Sequence, residues 1–223
     1  MNAINHAATA LIIKKFYPNT PIIPILVSVQ FIELIWVALN IIGIERTEFS
    51  SKVLSLADVH LVHMPFSHSL LFTFFWAALA WFLVSKIMKR PHWGGAIFIG
   101  VCSHIVLDLV THSRDIEIIP FINLPELGTG LYDTPLAALC LEIGYCILCW
   151  RIIGGAKFML LGLLALNLFS LSFYAPQIAG PEGMLTAYPS FFAPVIGVHI
   201  VFGLVAVWYL FQREQSPDNK LQG

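Results

Sequence analysis

The 223-residue chain is 58% hydrophobic and 11% charged, with a mean hydropathy of +0.81 and a net charge of −1 at neutral pH. A soluble domain carries about 25% charged residues, so this composition excludes an ordinary soluble protein and indicates one that crosses a membrane several times. The near-neutral charge gives no reason to expect a nucleic acid as a partner, and the lipid bilayer is the partner that the composition implies. We expect a single integral-membrane helical domain over residues 1–223.

The apolar segments predict an all-α fold with a short N-terminal helix and about six transmembrane helices. The N-terminal helix is predicted over Asn2–Phe16 and ends before Pro18. At about 1.5 Å per residue it is about 21 Å long, too short to cross a hydrocarbon core of about 30 Å. Six longer apolar segments follow, and each is long enough to span: Pro21–Ile44, Pro65–Met88, Trp93–Ser113, Leu131–Ile153, Ala156–Pro176 and Ser190–Phe211.

The lysine and arginine residues predict how these spans are oriented. They are concentrated at residues 14–15, 86–90 and 151–157 and at Arg213, whereas the loops at 45–64 and 114–130 hold few and balance them with acidic residues. By the positive-inside rule, the loop at 89–92 and the C-terminal tail are cytoplasmic, and the loops at 45–64 and 114–130 face outward. We therefore predict a multi-pass protein of the inner membrane.

The third long segment carries three ionisable residues at a regular spacing. His104, Asp108 and His112 are each four residues apart, so on a helix they lie along one face. Imidazoles and carboxylates are good metal ligands, and ionisable groups inside a membrane are costly and usually mark a functional site. The spacing predicts a divalent metal site on this helix.

His63 and His68 flank the outer start of the second long segment. Pro65 fits the first turn of a helix, which would leave His63 in the preceding loop and His68 in the helix. A loop and a helix start can direct both rings toward one point. Ser67 or Ser69 can cap this helix or support a metal ligand.

Other polar residues are predicted at a similar depth. Glu33 and Glu142 lie near the middle of the first and fourth long segments, and His6 lies about 12 Å above Lys14 by helical rise. Either carboxyl is a hydrogen-bonded structural group, a proton-relay group, a metal ligand or a general base that activates water.

Three residues near the outer membrane surface are additional candidate ligands: His60, His112 and Asp133. His199 lies alone in the last long segment, and we expect it to form a hydrogen bond between helices rather than to bind a metal.

The two histidine segments together resemble the YdjM-like family of membrane-bound metal-dependent hydrolases. That family pairs H-x4-H-S at the start of one membrane helix with S-H-x-x-x-D in the next, and the matching segments here are His63–Ser69 and Ser103–Asp108. His6 matches an early histidine of the family, and Glu33 stands where aspartate is usual. The segment at residues 128–135 and Glu142 resemble one branch. The resemblance covers about residues 1–145 and leaves the helices over 156–212 as accessory ones.

The resemblance implies a distant similarity to the zinc-dependent phospholipase C and nuclease superfamily, and hence phosphoester hydrolysis. We predict one or two zinc ions bound by His63, His68, His104 and Asp108, with His6 and Glu33 as further ligands. Glu33 or Glu142 would take a proton from the attacking water. Because the predicted site opens outward at membrane depth, a lipid or another amphipathic ester is the expected substrate.

Two alternative functions remain open at the sequence level. In a transporter or permease, the same buried carboxylates and histidines would carry protons or a metal ion, although the chain lacks two similar halves and paired helix breaks. In a structural membrane protein, a bound metal would only hold helices together.

Overall fold

The computed structural model describes residues 1–49, 58–175, 178 and 187–215, and it confirms the all-α fold. A two-stranded antiparallel hairpin, β1 (Arg46–Phe49) and β2 (Val59–His63), lies between the third and fourth helices. A π-helical turn at Leu83–Ile87 extends the helix at Leu70–Phe82. The helices of the described residues are α1 (Ala3–Phe16), α2 (Ile22–Val29), α3 (Phe31–Ile41), α4 (Leu70–Phe82), α5 (Pro91–Thr111), α6 (Pro135–Ile153), α7 (Lys157–Leu168) and α8 (Phe192–Glu214).

Four helical segments of the described chain are long and apolar enough to cross a membrane, and a fifth span is formed if the bent pair α2–α3 counts as one. The predicted number of six is not confirmed. α7 has only 12 residues and ends at Leu168, and Pro176, the predicted end of that span, lies outside the described residues. The four straight segments are Leu70–Ile87, Pro91–Thr111, Pro135–Ile153 and Pro189–Glu214.

The short helix α1 is enclosed by the other helices. It contacts α2, α5, α6, α7 and α8, and nine of its 14 residues are buried. Ala7, Ala8 and Ala10 have no exposed surface, and small side chains of this kind let neighbouring helices approach closely. The enclosure places His6 inside the bundle, although α1 itself is too short to span.

The first predicted span, Pro21–Ile44, is broken at Gln30. α2 and α3 meet there at an angle of 52°. A continuous helix would pair the Val29 carbonyl with the N–H of Glu33, and the break leaves this carbonyl available. Gln30 Nε2 donates to the Ala3 carbonyl at 2.6 Å, which ties the break to the first turn of α1.

α4 begins later than predicted. Ser69 is its N-cap, with Oγ accepting from the Phe72 N–H at 3.3 Å, so the helix starts at Leu70 and not at Pro65. Ser69 Oγ also donates to the Pro65 carbonyl at 2.7 Å and closes a turn over the preceding residues. His68 therefore lies in a turn before the helix rather than in the helix itself.

α2 and α5 approach closely at Gly100. A Cβ added there would lie 1.9 Å from Ser28 Oγ and 2.8 Å from Ser28 Cβ. We expect Gly100→Ala to lower the free energy of unfolding by about 1–3 kcal/mol, because overpacking forces side chains and backbone to shift. The measurement is the midpoint of thermal unfolding in detergent.

Gly144→Ala in α6 is the matched control for Gly100→Ala. No atom lies within 4 Å of its added Cβ, and alanine favours a helix over glycine by about 1 kcal/mol. This control is expected to be at least as stable as the wild type. Equal midpoints for the two variants would argue against the close approach at Gly100.

Candidate metal centre

Five polar side chains meet between α1, α3, α5 and the turn before α4, and we call this group the cluster: His6, Glu33, His68, His104 and Asp108. The three histidines and Asp108 are almost fully buried, and Glu33 is 22% exposed. Burying two carboxylates is costly unless other groups or a metal ion compensate their charge. Within the described residues, their close ion-pair partners are histidines and the backbone nitrogen of Met1.

Neighbouring atoms of the cluster are spaced like adjacent ligands of a tetrahedral metal ion. Glu33 Oε2 lies 3.3 Å from His68 Nε2 and 3.3 Å from His104 Nε2. Asp108 Oδ2 lies 3.1 Å from His104 Nε2 and 3.9 Å from His68 Nε2. Ligands that surround zinc at about 2.0–2.1 Å in a tetrahedron are about 3.3–3.4 Å apart. The distances from Glu33 to the two histidines and from Asp108 to His104 are close to this value, so either carboxylate could share a zinc ion with His104.

The hydrogen bond of His104 leaves the correct nitrogen available for a metal. His104 Nδ1 lies 2.9 Å from the Val29 carbonyl oxygen, which can only accept, so Nδ1 carries the proton. Nε2 then presents its lone pair to the cluster, where neither it nor Asp108 Oδ2 has a hydrogen-bond partner among the described residues. Metal-binding histidines are held in this way. The helix break at Gln30 leaves the Val29 carbonyl free to accept this hydrogen bond from His104.

His68 is oriented by a chain of hydrogen bonds that starts at Glu45. The buried Glu45 carboxylate accepts from the Ser67 hydroxyl at 2.6 Å and from the backbone N–H groups of Phe66 and Ser67 at 2.9 Å each. Ser67 Oγ lies 2.9 Å from His68 Nδ1. Because the single hydroxyl proton is given to Glu45, Ser67 accepts the proton of Nδ1, and the Nε2 lone pair of His68 is free.

His6 joins the cluster from α1. Its Nε2 lies 3.1 Å from Asp108 Oδ1, and its ring stacks on that of His104 with centroids 4.0 Å apart. The backbone nitrogen of Met1 lies 2.6 Å from the same Asp108 oxygen. His6, His104 and Asp108 form one group that could hold a metal, and Glu33, His68 and His104 form another. The two groups share His104 and so belong to one compact centre.

His112 lies at the edge of the cluster. Its Nε2 is 3.7 Å from Asp108 Oδ1, and its Nδ1 is 3.6 Å from Asp115 Oδ1. These distances are longer than hydrogen bonds, and the ring is 19% exposed at the end of α5. His112 is therefore a neighbour of the cluster and not part of either ligand group.

The structure does not bring His63 or Asp133 into the cluster. His63 is exposed at the end of β2, with its ring 6.5 Å from that of Phe121, because the strand and the turn before α4 separate it from His68. The backbone of His60 lies in β2, and its side chain is outside the described part of the chain. Asp133 is exposed and accepts from Ser113 Oγ at 3.4 Å.

Glu142 is buried apart from both ligand groups and holds the start of α1. Its Oε1 accepts from the Asn2 N–H at 2.9 Å and from the Tyr174 hydroxyl at 3.0 Å, and its Oε2 accepts from the Asn5 amide. These donors satisfy both carboxylate oxygens. The contacts give Glu142 a structural part in the site, and its action as a general base stays a prediction from the sequence.

The sequence analysis predicted that Ser67 could support a metal ligand, but it missed the role of Glu45 and the helix break at Gln30. Ser67 and Ser69 divide the two expected roles, since Ser67 contacts His68 and Ser69 caps α4. Glu45 was assigned only to the charge balance of its loop. The available signal was its position, an acidic residue directly after an apolar span in a chain with few charges.

A cavity of about 130 Å³ adjoins the cluster. His6, Glu33 and His68 line it together with His112 and Asp115. Its other walls come from α3, from the segment after α7 and from α8, and include Trp36, Phe173, Tyr174, Phe192, Ile196 and His199. The candidate metal centre therefore lies beside space that a small group can enter.

The comparisons with known proteins identify a family. The model of the family described as YdjM inner membrane protein matches residues 24–179, a range that includes Glu33, His68, His104 and Asp108, while His6 precedes it. No curated protein and no solved structure gives a significant match. The family match covers more than half of the chain, and its apolar helices agree with a membrane location. The chain belongs to the YdjM family of inner membrane proteins.

Proposed function

We propose that this protein is a membrane-embedded, zinc-dependent hydrolase that cleaves a phosphoester of a lipid or another amphipathic molecule. The observation that carries the proposal is the arrangement of Glu33 Oε2, His68 Nε2, His104 Nε2 and Asp108 Oδ2. Both histidines have their other ring nitrogen occupied by a fixed acceptor, so their Nε2 lone pairs are available to a metal. Two imidazoles and two carboxylates are a donor set that suits zinc.

The residues of the site divide the chemistry between them. Glu33, His68 and His104 would hold one zinc ion, and His6 and Asp108 would provide ligands for a second position beside it. A bound zinc ion supplies Lewis acidity, which polarises an ester oxygen and makes a nearby water more acidic. Glu33 lines the cavity, and its second carboxylate oxygen, the one that does not face the histidines, would accept a proton from the water whose oxygen bonds to phosphorus. The P–O bond to the alcohol breaks, and His112 gives the leaving oxygen a proton.

We also propose that the site lies in the outer half of the membrane and that the C-terminus is cytoplasmic. α5 begins at Pro91, directly after Lys89 and Arg90, and α8 ends beside Arg213. The positive-inside rule places these basic ends in the cytoplasm. The cluster lies near the other end of α5, and the cavity includes Phe192, at the opposite end of α8 from Arg213.

Zinc content and turnover test this proposal together. We expect the protein purified in detergent to contain near-stoichiometric zinc by elemental analysis and to hydrolyse bis(p-nitrophenyl) phosphate. A chelator should abolish turnover, and added zinc should restore it. His104→Ala is expected to lose zinc and turnover, because it removes an atom shared by both ligand groups.

His92→Ala is the matched control, since His92 is an exposed histidine at the start of the same helix. It is expected to keep both zinc and turnover. Folded wild-type protein that binds no zinc even when zinc is supplied would overturn the proposal. Bound zinc that stabilises the fold while no ester is turned over would indicate that the metal only holds helices together.

The helix break favours one second candidate, a transporter of protons or metal ions. Discontinuous helices near the middle of the membrane often form transport sites, and Glu33 follows such a break. Reconstitution in proteoliposomes separates the two functions. Zinc-dependent ester turnover without uptake supports the hydrolase, whereas uptake of protons or zinc that Glu33→Gln abolishes supports the transporter.

A further inference from the structure

Three residues that line the cavity carry buried polar atoms without a hydrogen-bond partner in the described part of the chain. The atoms are Gln30 Oε1, Trp36 Nε1 and Ser170 Oγ, and each residue is at most 4% exposed. A buried polar atom that stays unpaired costs about 1–3 kcal/mol. The three residues come from the break between α2 and α3, from α3 and from the segment after α7. Unpaired atoms gathered from separate elements indicate a partner that the cavity receives.

His199 adds a fourth polar side chain to the same wall. It lies on α8, lines the cavity and is partly buried. The hydrogen bond between helices that we expected for it is not formed within the described residues. His199 is therefore available to a group that enters the cavity.

The chemistry of these atoms selects the kind of group. Trp36 Nε1 can only donate a hydrogen bond. Gln30 already uses its amide nitrogen on Ala3, so its Oε1 remains to accept. Ser170 and His199 can do either. A hydroxyl both donates and accepts and satisfies this mixed set, whereas a quaternary ammonium cannot accept a hydrogen bond from Trp36.

We propose that the cavity binds the hydroxyl-bearing headgroup of the substrate, so that the protein prefers phospholipids with a glycerol headgroup to phospholipids with a choline headgroup. This inference rests on the proposed hydrolase function and names the substrate class of that site. The cavity has about the volume of an engineered protein cavity of ~150 Å³ that binds benzene. A glycerol unit has as many non-hydrogen atoms as benzene, and Phe192 and Ile196 offer apolar contacts for its carbon atoms.

The headgroup wall shares α3 with the metal ligands, but two of its polar residues come from other parts of the chain. The cluster is formed by α1, α3, α5 and the turn before α4, whereas Ser170 lies in the segment after α7 and His199 lies on α8. α8 also lies beyond the part matched by the family model. Headgroup preference can therefore be changed without touching a metal ligand.

The test compares phosphatidylglycerol with phosphatidylcholine of identical acyl chains, offered together in mixed micelles to the zinc-loaded protein. We expect the wild type to prefer phosphatidylglycerol in kcat/KM. Trp36→Phe keeps the ring and removes the donor, and His199→Leu removes the polar ring. Each is expected to lower the preference about tenfold, the effect of losing one hydrogen bond in a buried site. Trp81→Phe, on α4 and outside the cavity lining, is the control and should keep the preference.

Binding of micelles that contain only one of the two lipids to chelator-treated protein, followed by the shift in thermal unfolding, separates this inference from the hydrolase proposal. A larger shift with phosphatidylglycerol that Trp36→Phe removes supports the headgroup cavity even if no ester is turned over. Equal shifts and equal turnover for the two lipids would overturn it. Glycerol 1-phosphate serves as a soluble probe, and stabilisation by it as large as by phosphatidylglycerol would assign the cavity to a free polyol phosphate instead of a lipid.

Discussion

Asp108→Asn is expected to lose bound zinc and to lower the turnover of a phosphoester by more than about 100-fold. Asp108 belongs to one of the two potential ligand groups, with one oxygen 3.1 Å from His104, which both groups share, and the other 3.1 Å from His6. Asparagine keeps the shape but removes the negative charge that compensates the metal. Replacing a residue that only supports a metal ligand lowers metal affinity or activity about 10–100-fold, so replacing a direct ligand should lower them more. Elemental analysis and turnover of bis(p-nitrophenyl) phosphate measure both effects.

Asp133→Asn makes the same chemical change at an exposed carboxylate outside the cluster. This control should keep the zinc content and the turnover of the wild type. Full zinc occupancy in Asp108→Asn would show that Asp108 is not a ligand. Loss of zinc in both variants would point to a general effect of charge on the fold.

Glu45→Gln is expected to weaken zinc affinity by about 10–100-fold, although Glu45 is not placed to bind the metal. The glutamine amide can donate to Ser67 Oγ, which the carboxylate cannot. The hydroxyl proton of Ser67 would then turn to His68 Nδ1, and the ring proton would move to Nε2. The substitution thus removes the lone pair that His68 offers to zinc. Competition with a chromophoric chelator measures the affinity.

Glu48→Gln, an exposed residue on β1, is the control for Glu45→Gln and should bind zinc like the wild type. The thermal midpoint of the metal-free protein distinguishes a positioning role from a general structural one. We expect Glu45→Gln to reduce zinc affinity more than it reduces the stability of the metal-free protein. A variant that is unstable without metal yet binds zinc normally would contradict the assigned role.

Much of the candidate site could be predicted because its residues follow local rules. The four-residue spacing of His104 and Asp108 places both on one helix face, and the structure brings their side chains to 3.1 Å. Glu33 and His6 stood out because ionisable residues are costly inside a membrane, and both belong to the cluster. The all-α class followed from hydropathy alone.

The remainder depends on contacts between distant parts of the chain, which spacing cannot show. The helix break at Gln30 is held by partners far away in the sequence: Gln30 donates to the Ala3 carbonyl, and the Val29 carbonyl accepts from His104. The residues next to Gln30 therefore do not predict it. His63 was expected beside His68, but its strand pairs with Arg46–Phe49, and this hairpin directs it elsewhere. Glu45 acts through Ser67, a partner 22 residues away.

The enclosure of α1 has a consequence for how the protein is made. α1 is synthesised before α8, yet the two helices are in contact in the folded protein. α1 also carries His6, which belongs to the cluster. α1 is too short to be stable as an independent membrane span, so it must wait near the membrane surface or in a sheltered site until the later helices have been inserted. Complete zinc binding would then serve as a checkpoint of assembly, reached only when α1 has packed against the helices that carry the other ligands.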